Sequence, residues 1–79
     1  MIETPVQSSN LARVGWEDGN LYVQFNSGQC WRYLGVPIEG YQELVAAPSV
    51  GKHFLRNVRG QYPDEKVTSG TFLQQEVHA

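Results

Sequence analysis

Apolar and polar residues alternate on both sides of an Asp18-Gly19 pair, and this pattern restricts the fold more than any other part of the chain. Alternation with a period of two is typical of strands that bury one face. Asp-Gly suits the positive φ angles of a two-residue type I′ hairpin loop. The sequence therefore predicts a hairpin in which apolar residues lie opposite one another: Trp16 with Leu21, Val14 with Val23, and Ala12 with Phe25.

A third strand follows after a turn at residues 26–28, where Gly28 suits the left-handed position of a bulged three-residue loop. Such a loop pairs Val23 with Trp31. A two-residue loop would shift the register by one and turn both Trp31 and Tyr33 to the polar face. We therefore predict a three-stranded antiparallel meander with one apolar face. Its reverse face carries Arg13, Gly15, Tyr22, Gln24, Cys30 and Arg32.

Two helices are predicted after Pro37, which ends strand pairing and suits a first helical turn. Residues 38–47 repeat apolar side chains at helical spacing. In residues 49–60, Ser49 is a good N-cap and Gly60 fits the C′ position, while Val50, Phe54 and Val58 form an apolar stripe. The predicted fold is α+β: a three-stranded antiparallel β-meander with both helices packed on one face, in the order β-β-β-α-α. The helices are needed because a lone meander is only marginally stable.

The 79 residues are enough for one small domain. Residues 1–7 show no periodicity and are predicted to be a lead-in. Residues 64–79 are mostly polar, with an apolar cluster at Phe72-Leu73. This C-terminal tail is expected either to be disordered or to dock, as a short strand or helix, on the domain or on a second subunit. The folded domain is therefore expected at residues 8–63.

Charge and cysteine content limit the classes of function. The formal net charge of -2 argues against a protein that coats nucleic acid with its whole surface, so any anion site must be a local patch. The single cysteine excludes an intrachain disulfide and fits a reducing compartment. No signal peptide or membrane-spanning run is evident, so we expect a cytoplasmic domain with no membrane partner.

The first candidate site is a basic stripe formed by Lys52, Arg56 and Arg59. Their four- and three-residue spacing places them on one face of the second predicted helix, where they could contact a phosphate backbone. The alternative is a solvated helix face whose cations complement the helix dipole. Ser49 and Gly51 at the helix start could likewise hold an anion, but N-capping by Ser49 and close helix packing at Gly51 are the simpler explanations.

The second candidate site is the reverse face of the sheet, where Tyr22, Arg13 and Arg32 could bind an anion or a base. The alternative is cross-strand packing of the Tyr22 ring between Gly15 and Arg32. Trp31 and Tyr33 could serve as a stacking platform for bases, but the predicted register turns both towards the helices and favours a place in the core.

No catalytic, metal or cofactor motif is present. His53, His78 and Cys30 are too few and too scattered for a metal site. No serine or cysteine has a base and an orienting group at a suggestive spacing. We therefore expect no cofactor, and a protein that is not an enzyme.

Several ordered motifs resemble the KTSC domain family over residues 6–63. They are Val6-x-Ser8-Ser9, Val14-Gly15-Trp16-Glu17, Leu21-x-Val23-x-Phe25-x-x-Gly28, Trp31-x-Tyr33-x-x-Val36-Pro37 and Ala47-x-Ser49-Val50-Gly51-Lys52-x-Phe54. The usual Tyr-x-Tyr pair of the family is Trp31-Arg32-Tyr33 here. The family takes its name from a C-terminal domain of some lysyl-tRNA synthetases and also occurs as small bacterial and phage proteins. This context suggests RNA as a partner.

Two functional hypotheses follow. In the first, the chain is a small non-enzymatic module that binds RNA, tRNA or another polyanion through Lys52, Arg56 and Arg59, with Arg13, Arg32 and Tyr22 as further candidates. In the second, it is a protein-interaction or assembly module that uses a sheet edge or residues 71–77, because exposed strand edges are natural pairing sites.

Overall fold

The structure, a computed structural model, describes residues 1–67. Their strands form a single antiparallel sheet in the order β1-β2-β3-β4-β5. The α+β class and the two helices were predicted correctly, but the sheet has five strands instead of three. The elements are β1 (Ile2–Pro5), β2 (Leu11–Glu17), β3 (Asn20–Phe25), β4 (Cys30–Leu34), α1 (Ile38–Ala46), α2 (Val50–Asn57) and β5 (Asp64–Val67).

The central meander has the predicted turns. Asp18 and Gly19 both have positive φ, at 53° and 81°, as a type I′ turn requires. Gly28 has a φ of 97° in the second loop. The loops set the predicted register, with Trp16 opposite Leu21 and Val23 opposite both Val14 and Trp31.

One predicted pair is wrong, because β2 contains a bulge. Phe25 lies opposite Leu11 instead of Ala12, and the register shifts between Leu11 and Arg13. A bulge adds one residue to one strand and changes which side chains face the core. Leu11 is consequently 1% exposed and belongs to the main core. The bulge therefore lets the larger Leu11 occupy the core position that the simple alternation assigned to Ala12.

The two outer strands correct the prediction for the N-terminal end of the chain and decide between the alternatives for residues 64–67. Residues 1–7 were predicted to be a lead-in, but β1 pairs with β2 and places Thr4 opposite Val14. Residues 64–79 were predicted to be either disordered or docked, and within them β5 docks on the domain by pairing with β4, which places Lys66 opposite Trp31. Both strands have only four residues and little apolar alternation, so they lack the usual strand signal. The predictions for residues 71–77 and for the rest of the tail beyond Val67 lie outside the described residues.

The helices cover one face of the sheet and bury its apolar residues. Ser49 accepts a hydrogen bond from the Lys52 N–H at 3.4 Å, as predicted for an N-cap. Phe54 is 2% exposed, and its ring meets those of Phe25 and Tyr33 edge to face, with centroids 5.8 and 5.4 Å apart. Gly60 has the expected positive φ, but it lies beyond the C′ position because α2 ends at Asn57. In residues 1–67, no helix is long and apolar enough to span a membrane.

A smaller apolar cluster lies on the reverse face of the sheet. Tyr22 and Cys30 are buried there, and Met1 and Val67 pack against them. Met1 precedes β1 and Val67 ends β5, so residues from both ends of the described chain contribute to this cluster. The reverse face is therefore partly covered instead of fully open.

The Cys30 thiol is expected to react slowly with an aromatic disulfide reagent while the protein is folded. The side chain is 1% exposed, and burial raises the pKa of the thiol, opposed by the nearby Arg13 charge. A raised pKa lowers the thiolate fraction below that of an ordinary cysteine at the same pH, and the thiolate is the nucleophile. The release of the reagent's chromophore measures the rate, and the urea-unfolded protein is the control. Equal rates in the folded and unfolded protein would contradict this prediction.

Candidate functional site

The basic stripe is exposed, but its three residues do not lie on one helix. Lys52 and Arg56 lie on α2, whereas Arg59 lies in the turn that follows Asn57. The Arg59 backbone N–H donates to the Phe54 carbonyl at 3.0 Å, which closes this turn. Among residues 1–67, no carboxylate lies within ion-pair distance of these three side chains. The stripe therefore presents three cations to solvent without internal neutralisation.

The two arginines of the reverse face are paired with acids. Arg13 of β2 lies 3.5 Å from the Glu3 carboxylate of β1. Arg32 of β4 forms an ion pair with Glu65 of β5. Each arginine thus meets an acid from an edge strand that the sequence pattern did not predict. The structure does not bring Arg13 and Arg32 together with the basic stripe, which lies on the helix side of the molecule.

The Tyr22 ring is packed on the sheet and does not offer an open surface for stacking. It lies opposite Gly15 on one side and Arg32 on the other. The Arg32 guanidinium carbon is 6.0 Å from the ring centroid, which is within cation–π range. The residue is only 8% exposed. Cross-strand packing, the alternative considered from the sequence, therefore accounts for Tyr22.

Ser49 and Gly51, at the start of α2, have structural roles. The Ser49 hydroxyl is occupied by the Lys52 N–H. A Cβ on Gly51 would lie 2.9 Å from the Ser8 hydroxyl oxygen, closer than real Cβ contacts allow. That oxygen already accepts the N–H groups of Asn10 and Leu11 at 3.2 and 3.3 Å. N-capping and close packing therefore explain Ser49 and Gly51 without an anion.

Two grooves flank Arg59 on the helix side. The first, the Trp31 groove, has a volume of about 320 Å³ and is lined by Phe25, Gln29, Trp31, Tyr33, Arg59 and Asp64. The second, the Leu55 groove, has a volume of about 370 Å³ and shares Phe25 and Arg59 with the first. Leu55 is 48% exposed, an unusual exposure for a large apolar residue of this chain. Arg59 thus joins the basic stripe to two partly aromatic grooves.

Asp64 and Lys66 are site residues that the sequence analysis missed. They lie opposite Tyr33 and Trp31 in the β4–β5 pairing. Residues directly opposite in an antiparallel pair point to the same face, so both belong to the helix side. Lys66 therefore adds a fourth cation beside the Trp31 groove. Residues 64–67 are three charged residues followed by Val67, so they show no apolar alternation that would identify a strand.

The described residues show no constellation for metal chemistry. Within residues 1–67, no group of three or more His, Cys, Asp or Glu side chains could hold a metal ion. His53 lies near the Asn57 amide on the surface of α2, with 3.4 Å between its Nδ1 and the amide nitrogen. His78 lies outside the described part of the chain. The chemistry that the helix side offers is cation contact and aromatic packing.

The described residues define a small α+β domain whose helix side combines exposed cations with partly aromatic grooves. The family model for the KTSC domain matches residues 7–62. The chain therefore belongs to the KTSC domain family. A crystal structure of a KTSC domain protein from Yersinia pestis superposes with a TM-score of 0.78 at 31% identity, covering 82% of this chain and 94% of that protein.

Sequence relatives are of two kinds. An uncharacterised protein of Stutzerimonas stutzeri is 39% identical over 64 residues, which are 78% of this chain and 90% of the relative. The lysine–tRNA ligase of a Nostoc species is 35% identical over 48 residues, which are 61% of this chain but only 9% of the ligase. A second ligase, from Nostoc punctiforme, is 33% identical over the same length. The domain thus resembles both a protein of similar size and a small part of much larger ones.

Proposed function

We propose that this chain is a non-catalytic RNA-binding module that contacts phosphates through Lys52, Arg56 and Arg59. The observation that carries the proposal is the exposure of these three cations with no carboxylate partner among the described residues. Lysine and arginine without internal partners can neutralise phosphates and release their counterions. Lys66, on the same side of the sheet, extends the surface.

The distribution of charge supports a directional contact. The whole chain has a formal net charge of -2, so general attraction to a polyanion is weak. The reverse-face arginines are compensated by Glu3 and Glu65. The cations without an acid partner are therefore those of the basic stripe on the helix side, and an RNA strand would approach them there.

The names of two relatives favour RNA over other polyanions as the ligand of this chain. Lysine–tRNA ligases act on a tRNA, and 48 of their residues align with this chain at 35% and 33% identity. We infer from these names that the present chain contacts RNA, with tRNA as the first RNA to test.

Binding of the wild-type protein to bulk tRNA and to single-stranded RNA is expected to weaken steeply with salt. Three neutralised phosphates on a single strand predict a slope of about -2 in a plot of log affinity against log salt concentration. The affinity should therefore fall about twentyfold between about 50 and 200 mM salt. Fluorescence anisotropy of labelled RNA measures the affinity. Absence of binding at the lower salt concentration, or an affinity independent of salt, would disprove the proposal.

A further inference from the structure

The Trp31 groove has a composition that differs from the rest of the basic surface. Its walls are aromatic: Trp31 and Phe25 are half-buried, and Tyr33 closes the groove from the core side. Arg59 lies on its rim, and Lys66 lies opposite Trp31 in the sheet. The groove therefore combines apolar ring surface with cations at its edge.

The presence of Asp64 distinguishes this groove from a site that binds only phosphate. Its carboxylate lines the groove and would repel a phosphate placed inside. The charges of Asp64 and Arg59 both act on Tyr33: burial raises the pKa of the phenol, the Asp64 carboxylate raises it further, and the Arg59 guanidinium opposes them. The Asp64 carboxylate and the Arg59 guanidinium therefore both lie close to the Tyr33 ring. A ligand inside the groove must offer hydrogen-bond donors to the acid and an uncharged face to the rings.

An unpaired nucleobase meets these requirements. Every base has a flat face that stacks on aromatic side chains, and unpaired bases expose their hydrogen-bonding edges. A carboxylate only accepts hydrogen bonds and can accept two side by side. Guanine offers two adjacent donors on its pairing edge, N1–H and the N2 amino group, whereas uracil offers a single N3–H. Gln29 supplies a further amide at the groove.

We propose that the Trp31 groove binds one unpaired base of an RNA strand, with guanine preferred because Asp64 accepts its two donors. This inference rests on the proposed RNA-binding function and adds a base-specific contact to it. The phosphates flanking the base lie on Arg59 and Lys66, outside the groove. The basic stripe then provides affinity for RNA of any sequence, and the Trp31 groove provides the preference for guanine.

The test compares two single-stranded RNA oligomers of equal length, one of uridines only and one with a single central guanosine. A pair of hydrogen bonds to a base edge predicts roughly tenfold tighter binding of the guanosine oligomer at low salt. Asp64→Asn should abolish most of this preference while leaving uridine binding unchanged or tighter. Glu65→Gln is the matched control, because it removes the same charge one residue away on the reverse face. It should leave the preference intact.

The outcomes separate this inference from the proposed function. If neither oligomer binds at low salt, both proposals fail. If both oligomers bind with the expected salt dependence but equally well, or if Asp64→Asn and Glu65→Gln change the preference alike, only the base site is disproved. Thermal unfolding of each variant checks that the fold is retained. A guanosine preference lost in Asp64→Asn alone supports the base site.

Discussion

Replacing Phe54 with alanine is expected to remove a large fraction of the protein's free energy of unfolding. The side chain is 2% exposed, and its ring contacts Phe25 and Tyr33 edge to face. Removing a buried phenylalanine costs about 3–5 kcal/mol of unfolding free energy, because apolar burial is lost and a cavity remains. A domain of 79 residues has only about 4–12 kcal/mol in total. Urea denaturation followed by circular dichroism measures the loss.

Leu55→Ala is the matched control for this prediction. It lies next to Phe54 on the same helix but is 48% exposed. Surface substitutions usually change the unfolding free energy by less than about 0.5 kcal/mol. A comparable loss of stability in both variants would show that the Phe54 contacts do not hold α2 on the sheet. A large loss in Phe54→Ala alone would support the described core.

The triple substitution Lys52→Gln/Arg56→Gln/Arg59→Gln is expected to remove most of the salt-dependent RNA affinity. Glutamine keeps part of the aliphatic stem and removes the charge. If these residues neutralise three phosphates, the slope of log affinity against log salt concentration should fall from about -2 towards zero. The variant should also lose the roughly twentyfold gain in affinity that the wild type makes between about 200 and 50 mM salt. All three side chains are exposed, so stability should change little.

The double substitution Arg13→Gln/Arg32→Gln serves as the comparison for the opposite face. Both arginines pair with edge-strand acids, so we expect a much smaller effect on RNA binding. The same anisotropy assay applies to both variants, and circular dichroism confirms the fold. A loss of RNA affinity in the reverse-face variant but not in the triple variant would place the RNA-binding surface on the reverse face and contradict the proposal.

The central meander could be predicted because each of its determinants is local. Asp18-Gly19 and Gly28 fix the loops by their backbone preferences, and the loops fix which residues face each other. The bulge near Leu11 could not be predicted from alternation, because it depends on which side chain the core accepts. The edge strands could not be predicted because four-residue segments gain their stability from β2 and β4 instead of from their own pattern.

The candidate site was predictable only in part, for the same reason. Lys52 and Arg56 follow from the helix period and are exposed as expected. The surroundings of Arg59 depend on β5, which supplies Asp64 and Lys66. The pairing of Arg13 and Arg32 likewise depends on acids from β1 and β5. The edge strands therefore decide which cations are compensated and which remain available.

The close packing of Gly51 against Ser8 links the start of α2 to the turn before β2. The Ser8 hydroxyl holds the turn before β2, and a Cβ at position 51 would lie 2.9 Å from it. A side chain at position 51 therefore requires that oxygen to move, which would break the two hydrogen bonds that hold the turn. The residue tolerated at the start of α2 thus depends on a turn that lies far away in the sequence.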